Sequence, residues 1–213
     1  MGQYYKPINL DKKQYVYSHD ITTPWKCADG QVIEMGSGLK LMEHSWRLNP
    51  FVNAVAALLL AGNAWSGNRI VWAGDYADPE KTETPGDEQN LYDLIDDDVD
   101  LAMKIIPSIP KRRPRYFHNL DTNEFVDVCK CPEEDPNDIG CNIHPLPLLT
   151  CEGNGRGGGD FRGENSYLGV WARNRIVASY TKPKKAKEIT PNFTEQSVLM
   201  FKKPKVKKTP VTA

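Results

Sequence analysis

WSGNRIV at residues 65–71 recurs as WARNRIV at residues 171–177, with five of the seven positions identical. Trp, Ile and Val favour β-strands, and their spacing predicts a half-buried strand with the Trp and the Ile in the core. The aliphatic stem of the recurring Arg can lie along apolar surface while its head meets water or a carboxylate. A structural role is the favoured interpretation of both stretches, and an anion contact by the Arg is the alternative.

Three further blocks recur in the same order. NLDKKQYV at residues 9–16 matches NLDTNEFV at residues 119–126, with four identical positions. In the second pair, Leu-Asn-Pro at 48–50 matches Ile-His-Pro at 143–145. In the third pair, Leu58-Leu59 and Gly62-Asn63 match Leu148-Leu149 and Gly153-Asn154. Ordered matches of this kind predict an internal duplication, in which one structural unit is used twice.

The repeated unit is predicted to contain a hairpin, a helix and a strand. Asn and Asp between two short β-favouring runs mark a hairpin turn in the block at residues 9–16 and in its match. The helix is predicted over residues 49–62 and should be buried, with Asn49 as its cap, Pro50 at its first position and Gly62 as its stop.

The second copy and the connection between the copies are expected to differ from this unit. Pro145 and Pro147 interrupt the segment equivalent to the helix, which predicts a shorter helix or none. Between the copies, apolar residues recur at helical spacing from Asn90 to Ile106 and predict a connecting helix that Pro107 ends.

We therefore expect an α+β fold, mainly β, in which two β-hairpin/helix/strand units pack as a pseudo-dimer with a connecting helix and a basic C-terminal tail. The expected segments are copy one at 1–78, an acidic loop, helix and proline-rich linker at 79–113, copy two at 114–181 and a lysine-rich tail at 182–213. The core should form around Trp65, Trp171 and the helix at residues 51–60. The alternative is two separate bodies joined by the linker.

Composition narrows the class of protein. Hydrophobic residues make up 39% and charged residues 26%, which is ordinary for a soluble globular protein. The net charge of −1 points to no class of partner. The chain start lacks an apolar run and the most apolar stretch, residues 51–62, is too short to cross a bilayer. We therefore expect a cytoplasmic protein without membrane contact, whose five cysteines are reduced.

A glycine-rich insertion is the first candidate for a ligand site. In copy one only Ala64 separates Asn63 from Trp65, whereas residues 155–170 fill the equivalent place in copy two. Glycines allow close backbone approach, and exposed amides with nearby arginines can cradle an anion. The candidate ligand-binding residues are Gly155, Arg156, Gly157, Gly158, Gly159, Asp160 and Arg162. A structural loop, an anion or nucleic-acid contact and a catalytic loop all remain open, although no P-loop ending is present.

Three cysteines and a histidine form a candidate metal site. Three thiolates and one imidazole are a ligand set that structural zinc uses. The residues are Cys129, Cys131, Cys141 and His144. Four unrelated side chains are the alternative, since His144 aligns with Asn49, a helix-start residue. No other cofactor is expected.

The lysine-rich tail is the second candidate surface. Residues 182–208 hold nine lysines and two glutamates, a composition that cannot build a core. A polyanion such as nucleic acid or an acidic protein face would be attracted to it. The candidate contacts are Lys202, Lys203, Lys205, Lys207 and Lys208. A solvated tail is the alternative.

Four stretches of the chain resemble a family of small bacterial and phage proteins. They are MGQYYK at residues 1–6, GLKLME at 38–43, HPLPLLT at 144–150 and GNGRGGGDF at 153–161. The resemblance spans most of residues 1–180 and leaves the tail outside. The family has no assigned activity, so the resemblance implies a bacterial or phage origin, with an intracellular location in the infected host, and no catalytic residue.

The sequence alone thus favours a non-enzymatic binding or interaction protein that contacts nucleic acid or an acidic partner. The alternative is an enzyme that acts on a phosphate-bearing small molecule through the loop at residues 155–163. The sequence does not indicate an oligomeric state.

Overall fold

A computed structural model of the chain describes residues 4–26, 32–36, 47–81, 89–97, 102–131, 144–153 and 167–190, which form a mainly β fold of the α+β class. The strands are β1 (Tyr5–Asn9), β2 (Gln14–Val16), β3 (Thr22–Lys26), β4 (Val32–Gly36), β5 (Asn68–Gly74), β6 (Met103–Ile105), β7 (Tyr116–Asn119), β8 (Glu124–Asp127), β9 (Cys151–Glu152), β10 (Asn174–Ser179) and β11 (Lys187–Ile189). The α-helices are α1 (Pro50–Leu58), α2 (Leu91–Asp97) and α3 (Pro145–Thr150).

Nine of these strands form one mixed sheet. Its order is β11-β8-β7-β10-β5-β1-β2-β6, and β9 pairs with β5 beside that path. The two outermost strands run parallel to their neighbours, β6 to β2 and β11 to β8, whereas the other pairs along the path are antiparallel. Strands β3 and β4 make a separate two-stranded sheet.

The centre of the sheet joins the two halves of the chain. Strands β5 and β10 are antiparallel, with Arg69 opposite Arg175, Asn68 opposite Ile176 and Ile70 opposite Asn174. One continuous sheet therefore runs through both halves, which rules out two separate bodies joined by a linker.

Both predicted hairpins are present, β1–β2 and β7–β8. The side-chain carbonyls of Asn9 and Asn119 are buried and accept the backbone N–H groups two and three residues further on. Lys13 and Asn123 then close the turns in the left-handed region, with φ of 51° and 54°. The Asn side chain fixes each turn because it replaces the backbone partners that the turn would otherwise lack.

The core lies between one face of the sheet and the helices α1 and α3. Trp65 and Trp171 are fully buried within it, and their indole N–H groups donate to Gln14 at 2.9 Å and to Glu124 at 3.5 Å. The strands begin only at residues 68 and 174, so each Trp lies in the preceding turn and not in the strand that the sequence predicted. Truncation of either Trp to Ala would cost about 3–5 kcal/mol.

Helix α1 follows the prediction at its start. The Asn49 side chain accepts from the N–H groups of Phe51 and Val52, and Pro50 occupies the first position. The helix is buried as expected, although its last residue is Leu58 and not Gly62. Helix α3 is shorter than α1, as its prolines predicted; they fit its first turn, where a backbone N–H has no helical partner.

The prediction of a connecting helix from Asn90 to Ile106 is wrong for residues 103–105. Helix α2 spans Leu91–Asp97, but Met103–Ile105 forms strand β6, and the Met103 N–H donates to the Lys13 carbonyl at 2.7 Å. Pairing with β2, far away in sequence, overrides a helical spacing of apolar residues. At the opposite edge, residues 187–189 of the lysine-rich segment form β11. Within the part of the chain that the structure describes, no helix has the length and apolar character to span a membrane.

His144 gives the fold a testable dependence on pH. Its Nδ1 accepts from the Leu146 N–H at 3.1 Å and caps α3. Burial, reinforced by Arg47 and Arg113, lowers the pKa of His144 from 6.5 to about 3. Because the folded pKa is the lower one, this contribution to stability is complete above the unfolded pKa and is lost as the pH falls from there toward the folded pKa.

His144→Asn, which copies the cap residue of α1, should remove that dependence and keep the cap. Between about pH 7 and pH 5 the wild type should lose roughly 2 kcal/mol more unfolding free energy than the variant. Urea unfolding at several pH values measures both. Parallel losses in the two proteins would mean that another group carries the pH dependence.

Candidate functional site

A pocket of about 640 Å³ opens beside strand β9. Residues 78–81 form one wall, β9 with Gly153 forms the second, and residues 168–173 form the third. Gly153 and Tyr167 are the described residues on either side of the glycine-rich segment. The pocket therefore lies at the base of the predicted insertion.

Arg173 ties two walls of the pocket together. Its Nε donates to Glu152 Oε1 at 2.6 Å and its Nη2 to Glu152 Oε2 at 2.8 Å. Its Nη1 donates to Glu80 Oε2 at 3.1 Å, and its Nη2 also donates to Glu80 Oε1. These hydrogen bonds, to Glu152 first and then to Glu80, raise the pKa of Arg173 above its usual range. Paired contacts of this kind fix the direction of both carboxylates.

The backbone of Arg173 is in an unfavourable conformation for this residue type. Its φ is 63°, in the left-handed region. The corresponding residue in the first half is Gly67, with φ of 73°, where no Cβ opposes the conformation. A side chain in this region costs about 1–2 kcal/mol, which the ion pairs with the two glutamates help to offset.

Glu152 is also specific to the second half. Leu60 bridges to Ala178 of β10 in the way that Cys151 pairs with Trp72 of β5. Ala61 follows Leu60 as Glu152 follows Cys151. The second half thus has a carboxylate and a guanidinium where the first half has a methyl group and a hydrogen atom.

Cys151 lines the pocket without being a reactive thiol. It is buried, its Sγ donates to the Leu148 carbonyl at 3.2 Å, and burial raises the pKa of the thiol to about 12. A thiol with that pKa is protonated at neutral pH, and the thiolate is the nucleophilic form.

The candidate ligand residues of the insertion, 155–160 and 162, lie outside the described residues, as do the five candidate lysines between 202 and 208. The end of the insertion belongs to the fold: Leu168 is buried in the core and the Gly169 N–H donates to the Leu148 carbonyl at 2.9 Å. The part that lies outside the described fold is therefore shorter than residues 155–170.

The candidate zinc ligands are only partly described. Cys129 is exposed and Cys131 is buried, while Cys141 lies outside the described residues. His144 uses its Nδ1 to cap α3 and packs edge-on against Phe117, with ring centroids 5.2 Å apart. In the described ranges no three His, Cys, Asp or Glu side chains come close enough to hold a metal ion. The zinc site remains a prediction that metal analysis of the purified protein would test.

The recurring arginines meet carboxylates, as one interpretation of the sequence expected. Arg69 pairs with Asp11 and Arg175 pairs with Asp121, with Nε–Oδ1 distances of 2.7 Å in both pairs. The backbone N–H of each Arg is the main cause that lowers the pKa of its Asp, and the side-chain bond acts in the same direction. These pairs hold the hairpins to the central strands and are explained by the fold.

Sequence reasoning missed Glu80, Glu152 and Arg173. A signal was present, because Arg173 replaces a glycine of the matching block, but the partner at position 80 lies 93 residues away. Comparisons of the chain with protein-family models, curated proteins and solved structures give no match.

Gly169 offers a test of how tightly the pocket base is built. A Cβ there would lie 2.4 Å from the Cys151 carbonyl oxygen, and φ is +64°. Gly62 is a matched control, since its φ is +88° and a Cβ would meet nothing within 4 Å.

Gly62→Ala should lower the unfolding free energy only by the conformational strain of a side chain at this φ, about 1–2 kcal/mol. Gly169→Ala should cost about 1–3 kcal/mol more, because the backbone of β9 must also move. Thermal and urea unfolding measure both variants. Equal losses would show that β9 gives way easily and that the pocket base is not rigid.

Proposed function

We propose that this chain is a non-enzymatic binding protein with two recognition surfaces, the pocket around Arg173 and the lysine-rich end. The observation that carries the proposal is the pocket itself. Its volume falls within the range of small-molecule sites, and the ion network of Glu80, Arg173 and Glu152 fixes its polar groups in advance.

A duplication supports the choice of this pocket. We propose that residues 1–78 and 114–181 descend from one unit, extended by β6 and β11. The support is the symmetric β5–β10 register, the matched hairpins, and edge strands that pair with β2 and β8 through corresponding residues. The hairpins, the capped helices and the central strands are then present twice, and the pocket network is present once.

Binding is favoured over catalysis because the pocket's thiol is held neutral. Cys151 has a pKa of about 12, and His144, whose pKa is about 3, serves as a helix cap. Neither the thiol nor the imidazole is therefore poised to act as a nucleophile or general base near neutral pH. The alternative, an enzyme for a phosphate-bearing molecule acting through residues 155–163, gains no support from Arg173, whose guanidinium already binds two carboxylates.

For the second surface we propose a polyanionic partner, either nucleic acid or an acidic protein, in a bacterial or phage setting. The support is composition, since Lys202, Lys203, Lys205, Lys207 and Lys208 lie within seven residues without an acidic neighbour. Attraction of this kind is long-ranged and weakens with salt.

Salt dependence tests the second surface. The intact protein should retain duplex DNA at low salt, and affinity should fall on the order of a hundredfold or more for a fourfold rise in salt. Replacing those five lysines by Gln should abolish retention. A protein that holds no DNA, RNA or polyglutamate at low salt would contradict the proposal.

A charge-matched control separates the tail from net charge. Five exposed lysines outside residues 182–213 are replaced by Gln in the control protein: Lys12, Lys13, Lys104, Lys111 and Lys130. This protein has the same net charge as the tail variant and should still bind. Equal loss in both variants would assign the binding to overall charge and not to the tail.

A further inference from the structure

We infer that the pocket around Arg173 binds the ammonium or guanidinium group of a small organic cation. The inference deepens the proposed binding function and rests on it. It names the ligand class for the pocket only and is independent of what the lysine-rich end contacts.

The hydrogen-bonding capacity of the pocket points to a donor ligand. A guanidinium has five N–H groups, and four N–H···O contacts from Arg173 already go to Glu80 and Glu152. One donor is left on Nη1, which is too few for the two-pronged contact that phosphate or carboxylate usually makes with Arg. Each carboxylate oxygen keeps a further lone pair, so the network offers acceptors.

The charge of the lining agrees with this. Asp78, Glu80 and Glu152 face Lys81 and Arg173, so the lining has three carboxylates and two cations. The net charge of these five residues is −1, with Asp78 and Lys81 exposed to solvent and Glu80, Glu152 and Arg173 partly buried. A cation is attracted there and a phosphate is repelled.

Two of the walls also contribute apolar residues that an aliphatic chain could contact. Leu168, Ala172 and Pro79 line the pocket beside the polar network. An alkylamine or alkylguanidine matches this combination of acceptors and apolar surface.

The first half of the chain shows that the fold does not require the network. Ala61 and Gly67 occupy the corresponding positions there, where Leu60 makes a bridge to Ala178 and β5 pairs with β10 in a symmetric register. Arg173 in addition holds a left-handed backbone that Gly would adopt without cost. Arg173 therefore joins residues 78–81 to β9 at a position where Gly satisfies the fold in the first half.

Butylamine, butanol and butyl phosphate form a probe series with one alkyl chain and three head groups. In a titration of the full-length protein followed by amide NMR, butylamine should bind at the pocket at least about tenfold more tightly than either of the others, as expected for a charge-assisted hydrogen bond. Equal binding of butanol, or tighter binding of butyl phosphate, would overturn the inference.

Two isosteric variants test whether the amine binds at the pocket around Arg173. Glu152→Gln should weaken butylamine about tenfold, and Glu80→Gln should do the same from the opposite wall, so that either one suffices if the other fails to fold. Glu188→Gln is the matched control, because Glu188 pairs with Lys130 and Lys182 away from the pocket. Unchanged affinity in both pocket variants, or the same loss in the control, would overturn the site.

The ammonium group could come from a separate molecule or from the chain's own lysines. The variant with five Gln residues at positions 202–208 distinguishes them. Tighter butylamine binding in that variant means that a tail lysine competes for the pocket, and unchanged binding means that the ligand is a separate amine; both outcomes support a cation site. Failure of DNA retention with intact amine binding would remove the tail proposal alone, and the reverse would remove this inference alone.

Discussion

The pairing of β5 with β10 is the constraint on which the rest of the structure depends. Both strands are central, and their free edges would be exposed if the halves separated. The pairing also sets Arg69 directly opposite Arg175, an arrangement of like charges that destabilises neighbouring strands. Asp11 and Asp121 neutralise the two arginines and at the same time accept the backbone N–H of each. The hairpins are thus joined to the central strands by the same contacts that make the central pairing tolerable.

Much of the fold could be predicted because its signals are local. Asn9 and Asn119 bind backbone groups two and three residues away, and Asn49 caps a helix that begins at the next residue. Where the partner is distant the prediction failed. Residues 103–105 have helical spacing but pair with β2, and residues 187–189 have the composition of a tail but pair with β8. No short window of sequence contains either partner.

The candidate site was even harder to predict from the sequence, because its residues come from distant positions in the chain. The sequence located the insertion, because it interrupts a recognisable match, but the residues it singled out there lie outside the described fold. The network beside it joins positions 80, 152 and 173, which only the tertiary structure brings together. Arg173 was visible as the one charged replacement in an otherwise repeated block, yet its partners could not be read from that block. Its place in the network follows from the left-handed turn, which directs the Arg173 side chain toward β9 from a position that is Gly67 in the first half.

The proposed duplication turns the first half into an internal control for the second. Both halves have to solve the same folding problem, and they do so with corresponding caps, turns and buried tryptophans. A difference needed for stability would be expected in the core or at the joined edges. The halves also differ in the separate β3–β4 sheet, which belongs to the first half. Two other differences, a carboxylate for a methyl group and a guanidinium for a hydrogen atom, line the same recess at the base of the predicted insertion. Glu80, from the segment that joins the halves, completes the network from the opposite wall. Changes that line one cavity, while the buried tryptophans and the helix caps stay shared, are the support for the ligand site proposed above.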